Sequence, residues 1–68
     1  MMTLDHQLVA SATARLRSID RDTEHDARNL ISRYVGLSAF VNEDAEARIR
    51  FPRAEQQMRA FVETGRLG

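Results

Sequence analysis

The sequence predicts a small α+β domain in which helices flank one short β-hairpin. Apolar residues recur every three or four positions over residues 3–36 and again after Pro52, a spacing typical of amphipathic helices. Between these regions, the run AEARIRF from Ala45 to Phe51 alternates strictly between apolar and charged residues. That period of two indicates a half-buried strand. Residues 1–68 are interpreted as one domain, because a chain of 68 residues has room for a single core.

The first helical region begins near Thr3, whose hydroxyl can cap the free N–H groups of a first turn. It ends at Gly36, which suits the left-handed end of a helix. Two arrangements are open between these points. Asp and Thr side chains at positions 20–23 compete for backbone hydrogen bonds, and this favours a break that gives a helical hairpin. Without the break, one long helix results, and it would need a partner helix along its length.

The middle of the chain predicts a β-hairpin with strands over residues 37–41 and 45–51. The turn-forming sequence Asn-Glu-Asp at 42–44 separates them. The first strand is the less regular of the two, and an irregular return of the chain is the alternative. An isolated hairpin is only marginally stable in water. We therefore expect it to pack against the helices or to pair with strands of a second copy.

The strand pattern also predicts which side chains face the core. Ile49 and Phe51 share the apolar face of the second strand, so Ile49 is expected in the core. Phe40 is out of phase with the other apolar residues of its strand. It either faces solvent, where an exposed aromatic would mark a docking surface, or reaches the core through a twist or bulge.

The last helix is predicted to begin at Pro52, because a first helical position does not need the N–H that proline lacks. It is predicted to end at Gly65. Phe51 and Phe61 are expected to meet in the core between the strand and this helix. The Tyr34 hydroxyl is expected to reach solvent from the edge of its helix.

Composition excludes several classes of protein. Ten arginines balance ten acidic residues, and the chain has no basic arm or acidic tail that would indicate a nucleic-acid or membrane partner. It contains no cysteine, which excludes disulfides and thiolate metal sites. No apolar stretch approaches the roughly 20 residues that span a membrane, and the N-terminus does not resemble a signal peptide. We expect a cytoplasmic location.

Catalytic and metal-binding motifs are also missing from the sequence. There is no cysteine nucleophile, glycine-rich phosphate loop or His–Glu metalloenzyme motif. Asp22, His25 and Asp26 lie close together in sequence, but a helix cap with solvated charges explains them more simply than a metal site, which needs three or four converging ligands. We expect a protein that is not an enzyme and that carries no cofactor or metal.

One segment resembles part of a known family. The sequence RIRFPRAEQQMRAFVETGRL, from Arg48 to Leu67, is similar to the strand and first helix of ribbon-helix-helix proteins. In that family two chains pair their strands, and the outward side chains of the ribbon contact DNA. The resemblance implies that Arg48 and Arg50 would contact bases or phosphates. It covers less than a third of the chain, and the family's second helix has no counterpart up to Gly68.

The size of the chain predicts how it functions. A core this small is usually supplemented by disulfides, a metal or self-association, and self-association or docking on another protein fits this composition. We therefore expect a regulatory or adaptor protein of the inhibitor, antitoxin or cochaperone type, acting as a homodimer that binds a protein partner. The candidate site is an apolar patch of Leu8, Val9 and Phe40 with Arg48 and Arg50 at its rim. A DNA-binding dimer is the alternative.

Overall fold

All regular elements of the computed structural model, which describes residues 3–67, are helical. Helix α1 spans His6–Arg15, α2 spans Arg21–Ser38 and α3 spans Ala45–Thr64, with a short 3-10 turn at Leu16–Ser18 between α1 and α2. The three helices form a small bundle around one core. No strand occurs within the described range, so the predicted α+β fold class is wrong.

The break between α1 and α2 matches the helical hairpin, one of the two arrangements that the sequence left open. Asp20 begins α2, and its side chain accepts a hydrogen bond from the Thr23 N–H at 3.2 Å. Hydrogen bonding from Thr23, first from its side chain and then from its backbone N–H, lowers the pKa of Asp20. The predicted start of α1 and the predicted end of α2 differ from the structure. Asp5 caps α1 in place of Thr3, and α2 continues through Gly36 to Ser38.

The predicted β-hairpin of strands 37–41 and 45–51 is absent from the structure. Residues 37 and 38 complete α2, and residues 39–43 form turns. The second predicted strand forms the start of α3, where the Asp44 side chain accepts a hydrogen bond from the Glu46 N–H at 2.9 Å. Alanine, glutamate and arginine dominate this segment and favour helix.

The buried residues of α3 explain why the helix prevails over the alternating pattern. They are spaced four and three positions apart without interruption, which makes a continuous apolar stripe on a helix. Pro52 therefore lies inside α3 rather than at its start. Proline removes one backbone hydrogen bond and strains the preceding turn, but Pro52 is exposed, so water can reach the freed carbonyl. The residues of the stripe are Ala47, Phe51, Ala54, Met58 and Phe61.

The core is apolar, and an aromatic pair lies at its centre. The rings of Tyr34 and Phe51 stack with centroids 4.9 Å apart. The expected position of Tyr34 at the solvent edge is wrong, because its side chain is fully buried. Phe51 and Phe61 are both buried, as expected. The buried residues are Leu8, Ala12, Leu16, Ala27, Leu30, Tyr34, Val41, Ala47, Phe51, Ala54, Met58 and Phe61.

The predicted core position of Ile49 is also wrong. Its side chain is 60% exposed, whereas that of Phe51 is 2% exposed. Side chains two positions apart lie on the same face of a strand but about 200° apart around a helix. The change from strand to helix therefore moves Ile49 from the core to the surface.

The described helices were also compared with the requirements for crossing a lipid bilayer. Within residues 3–67, none is both long enough and apolar enough to span a membrane.

Candidate functional site

The α2–α3 hairpin extends beyond α1, and this extension carries the candidate site. The Asp5 N–H, next to the start of α1, donates to the Tyr34 hydroxyl at 3.0 Å, and Tyr34 in turn stacks on Phe51. From this contact, α1 continues in the direction opposite to the turn between α2 and α3. The part of the hairpin that includes this turn is therefore not covered by α1. We call this part, residues 35–50, the tip.

The tip is packed onto the core of the bundle. Val41 and Ala47 are buried, and Leu37 is half-buried against the core. Arg48 fixes the turn between the helices, because its guanidinium donates to the carbonyl oxygens of Val41 at 3.3 Å and Asn42 at 3.0 Å. The tip is therefore an ordered surface in which Arg48 holds the turn.

The large exposed apolar side chains of the described structure all lie in the tip. Val35 is 39% exposed, Phe40 is 56% exposed and Ile49 is 60% exposed. We call these three the apolar tip residues. The exposure of Phe40 corresponds to the first of the two orientations that the sequence left open. An aromatic and two β-branched side chains at one end of a small domain are suited to docking on another surface.

The structure separates the residues of the predicted apolar patch. Leu8 is only 6% exposed, and Val9 is half-buried against the core. Both belong to α1, on the other side of the Tyr34–Phe51 stack from Phe40. Phe40 is thus the member of the predicted patch with substantial apolar surface.

The predicted rim arginines also differ from each other in position. Arg48 and Arg50 do not share an edge, because residues two apart on a helix point in different directions. Arg48 bonds to the turn, as described above. Arg50 lies 3.5 Å from Glu46 in an exposed ion pair one helical turn apart. The paired-strand ribbon implied by the family resemblance is not present, since residues 48–51 belong to α3.

A second feature, which we call the polar clamp, joins all three helices. It consists of Asp5, Tyr34, Glu55 and Arg59. The Tyr34 hydroxyl accepts from the Asp5 N–H and donates to Glu55 Oε2 at 3.5 Å. Arg59 Nη2 lies 3.4 Å from Asp5 Oδ2 and 3.3 Å from Glu55 Oε1. Burial is the main cause that raises the pKa of Tyr34, and the charge of Glu55 acts in the same direction.

Three members of the polar clamp, Asp5, Glu55 and Arg59, line a cleft of about 720 Å³ between the start of α1 and α3. The polar groups of the clamp bond to one another, and these bonds hold α1 against α2 and α3. The polar clamp could not be predicted from the sequence, because the partners of the Tyr34 hydroxyl lie 29 and 21 positions away along the chain. We assign the clamp a structural role.

Metal-binding groups were sought across the same part of the chain. Among residues 3–67, no three His, Cys, Asp or Glu side chains come close enough together to hold a metal ion. In comparisons with protein-family models, curated proteins and solved structures, the chain matched none of them.

Proposed function

We propose that this chain is a non-enzymatic regulatory or adaptor protein that acts by binding another protein chain through its apolar tip residues. We further propose that the partner is a second copy of the chain. The observation that supports the proposal is the concentration of Val35, Phe40 and Ile49 at one end of the bundle.

The chemistry of these side chains fits a protein interface. Interface centres are enriched in aromatic and other large apolar residues, with charged residues at the rim. Phe40 and Ile49 are each more than half exposed. Since full burial of such a side chain contributes about 1.5–3 kcal/mol, covering the exposed part of each contributes roughly 1–2 kcal/mol. The Glu46–Arg50 pair provides charge beside them.

A second copy is the partner that charge and size favour. The formal net charge is zero, so two copies do not repel each other at long range. The surface of one chain is 4936 Å², and an interface of standard size would cover about a sixth of it. In a two-fold dimer each copy contributes the same residues, so the tip would meet the tip of its partner.

The alternative of a DNA-binding dimer required strands from two chains to pair through residues 48–51, and these residues are helical.

The proposal includes a cytoplasmic location. A chain without cysteine has no disulfides to form, so its folding does not depend on an oxidising compartment.

Sedimentation equilibrium with matched variants tests the proposal. We expect the wild type to form a dimer at micromolar concentration, and we expect Phe40→Asp and Ile49→Asp to shift it toward monomer. Ala60→Asp is the control, because it places the same charge on an exposed site of α3 outside the tip. Circular dichroism establishes that each variant keeps its helices.

Two results would contradict parts of this proposal. A wild type that stays monomeric at high micromolar concentration would exclude the second copy as partner. A dimer that resists both tip substitutions but dissociates with Ala60→Asp would place the interface elsewhere on the molecule.

A further inference from the structure

Three arginines line a groove between α2 and α3. The cavity has a volume of about 240 Å³, and Arg33, Arg50 and Arg53 all border it. Arg50 and Arg53 are three positions apart on α3, a spacing that puts both on one face of the helix, while Arg33 projects from α2. We call this cavity the arginine groove. Its remaining lining residues are Leu37, Ala54 and Gln57.

The arginine groove has more positive than negative charge at its border. None of its lining residues is acidic. Arg33 and Arg53 take part in none of the ion pairs found over residues 3–67. The pair of Arg50 with Glu46 is 3.5 Å long, and both side chains are mostly exposed, so it contributes little and exchanges readily. Arg59 differs, because it has two carboxylate neighbours.

The groove also presents many more hydrogen-bond donors than side-chain acceptors. Arg33 Nη2 donates to Gln57 Oε1 at 3.2 Å. This bond uses one of the two lone pairs of the Gln57 amide oxygen, and the NH₂ group of Gln57 is a further donor. Leu37 and Ala54 supply an apolar lining, beside which charge interactions are stronger than in open water. Such a set of donors suits a ligand with several negatively charged oxygens.

We propose that the arginine groove binds the phosphate group of a small phosphate ester. A phosphate monoester carries nearly two negative charges and three acceptor oxygens, which can engage several guanidinium groups, whereas a carboxylate is satisfied by one bidentate arginine. The volume is below the roughly 300–1,000 Å³ of ordinary ligand pockets. It therefore fits a phosphoryl group with a small attached group. The proposal does not depend on the apolar tip residues.

Titration calorimetry at fixed ionic strength tests this site with inorganic phosphate and with glycerol 3-phosphate. We expect both to bind the wild-type chain, and we expect Arg33→Gln and Arg53→Gln each to weaken binding by about tenfold, the effect of losing one charge-assisted hydrogen bond. Arg28→Gln is the matched control. It removes an exposed arginine from α2 that pairs with Glu24 and lies outside the groove.

The choice of variants also separates an effect on phosphate binding from an effect on folding. Arg33→Gln removes the bond to Gln57. Arg53 is exposed and takes part in no ion pair among residues 3–67, so we expect its replacement to leave the fold unchanged. Equal weakening by Arg28→Gln would indicate unspecific attraction and would overturn the proposal. So would acetate binding as tightly as phosphate. Duplex DNA that binds with a steep salt dependence, where glycerol 3-phosphate does not bind, would replace the proposed ligand with nucleic acid.

Discussion

Replacing Ile49 with aspartate distinguishes a helix from a strand at residues 45–51. A strand would place Ile49 and Phe51 together in the core, and an aspartate there would be an unpaired buried charge. In the structure Ile49 is 60% exposed and Phe51 is 2% exposed. The two positions should therefore respond very differently to substitution.

The expected magnitudes follow from these exposures. Ile49→Asp loses the contacts of the covered part of the side chain, roughly 1 kcal/mol or less, and isoleucine and aspartate have similar helix propensities. Phe51→Ala removes a buried ring stacked on Tyr34 and should cost about 3–5 kcal/mol. The free energy of unfolding of a chain of this length is about 3–10 kcal/mol. Phe51→Ala should therefore lose most of the stability, and Ile49→Asp should stay folded.

Urea denaturation followed by far-UV circular dichroism measures both effects. Phe51→Leu serves as a milder variant that retains enough structure to give a complete transition. Each variant is measured at two protein concentrations, because loss of a dimer would lower stability only at the higher one. If Ile49→Asp unfolds the chain as fully as Phe51→Ala, the helical assignment of residues 45–51 and the orientation derived from it are wrong.

Two further predictions concern the polar clamp and the end of α3. Tyr34→Phe should lower the free energy of unfolding, measured in urea, by about 1 kcal/mol, since it removes two part-buried hydrogen bonds. The pKa of Tyr34 is raised above its ordinary value of 10.0. The stability that this shift contributes is therefore present below pH 10.0 and is lost as the pH rises through the pKa of the folded state. The chain has one tyrosine, so its tyrosinate absorbance should titrate with a midpoint above 10.0, and a lower midpoint would contradict its burial. Gly65→Ala should destabilise by about 1 kcal/mol or more, because Gly65 has φ +73° and an added Cβ would lie 3.0 Å from Arg15 Nη2. Gly36 is exposed and has open space around it, so the control Gly36→Ala should stabilise α2 by about 0.5–1 kcal/mol. If both substitutions changed the thermal unfolding temperature equally, the proposed difference between the two glycines would be wrong.

Local chemistry was sufficient to predict some of the fold. The break before α2 could be predicted because Asp20 and Thr23 carry short polar side chains that bond to nearby backbone, and the structure shows this bond. The end of α3 at Gly65 was predicted for a similar reason, since only a residue without a Cβ adopts its positive φ without strain. These signals act over three or four residues.

The error at residues 45–51 arose from two patterns that share the same residues. Ala47 and Phe51 fit both an alternating strand and the four-and-three stripe of a helix. Pro52 was interpreted as a boundary, which hid the continuation of the stripe to Ala54 and Met58. Proline is tolerated here because its position faces away from the core, and that orientation is known only from the packed structure.

The two proposed binding surfaces, the apolar tip residues and the arginine groove, differ in how far the sequence could predict them. The exposure of Phe40 was one of two orientations that its phase allowed. The arginine groove could not be predicted, because it joins Arg33 to residues of α3 that follow a long intervening segment. The bond that orders it, from Arg33 to Gln57, spans 24 positions. Contacts of this range depend on how the helices pack, which a single sequence does not reveal.

The position of Pro52 has a consequence for how the molecule can deform. Proline leaves one carbonyl of α3 without its helical partner, and helices bend most easily at such points. Pro52 lies two residues beyond the tip and precedes the part of α3 in which Arg59 contacts Asp5, the N-cap of α1. We therefore expect a hinge at this residue. The tip can tilt there to match a curved surface, while the part of the bundle that contains α1 keeps its shape.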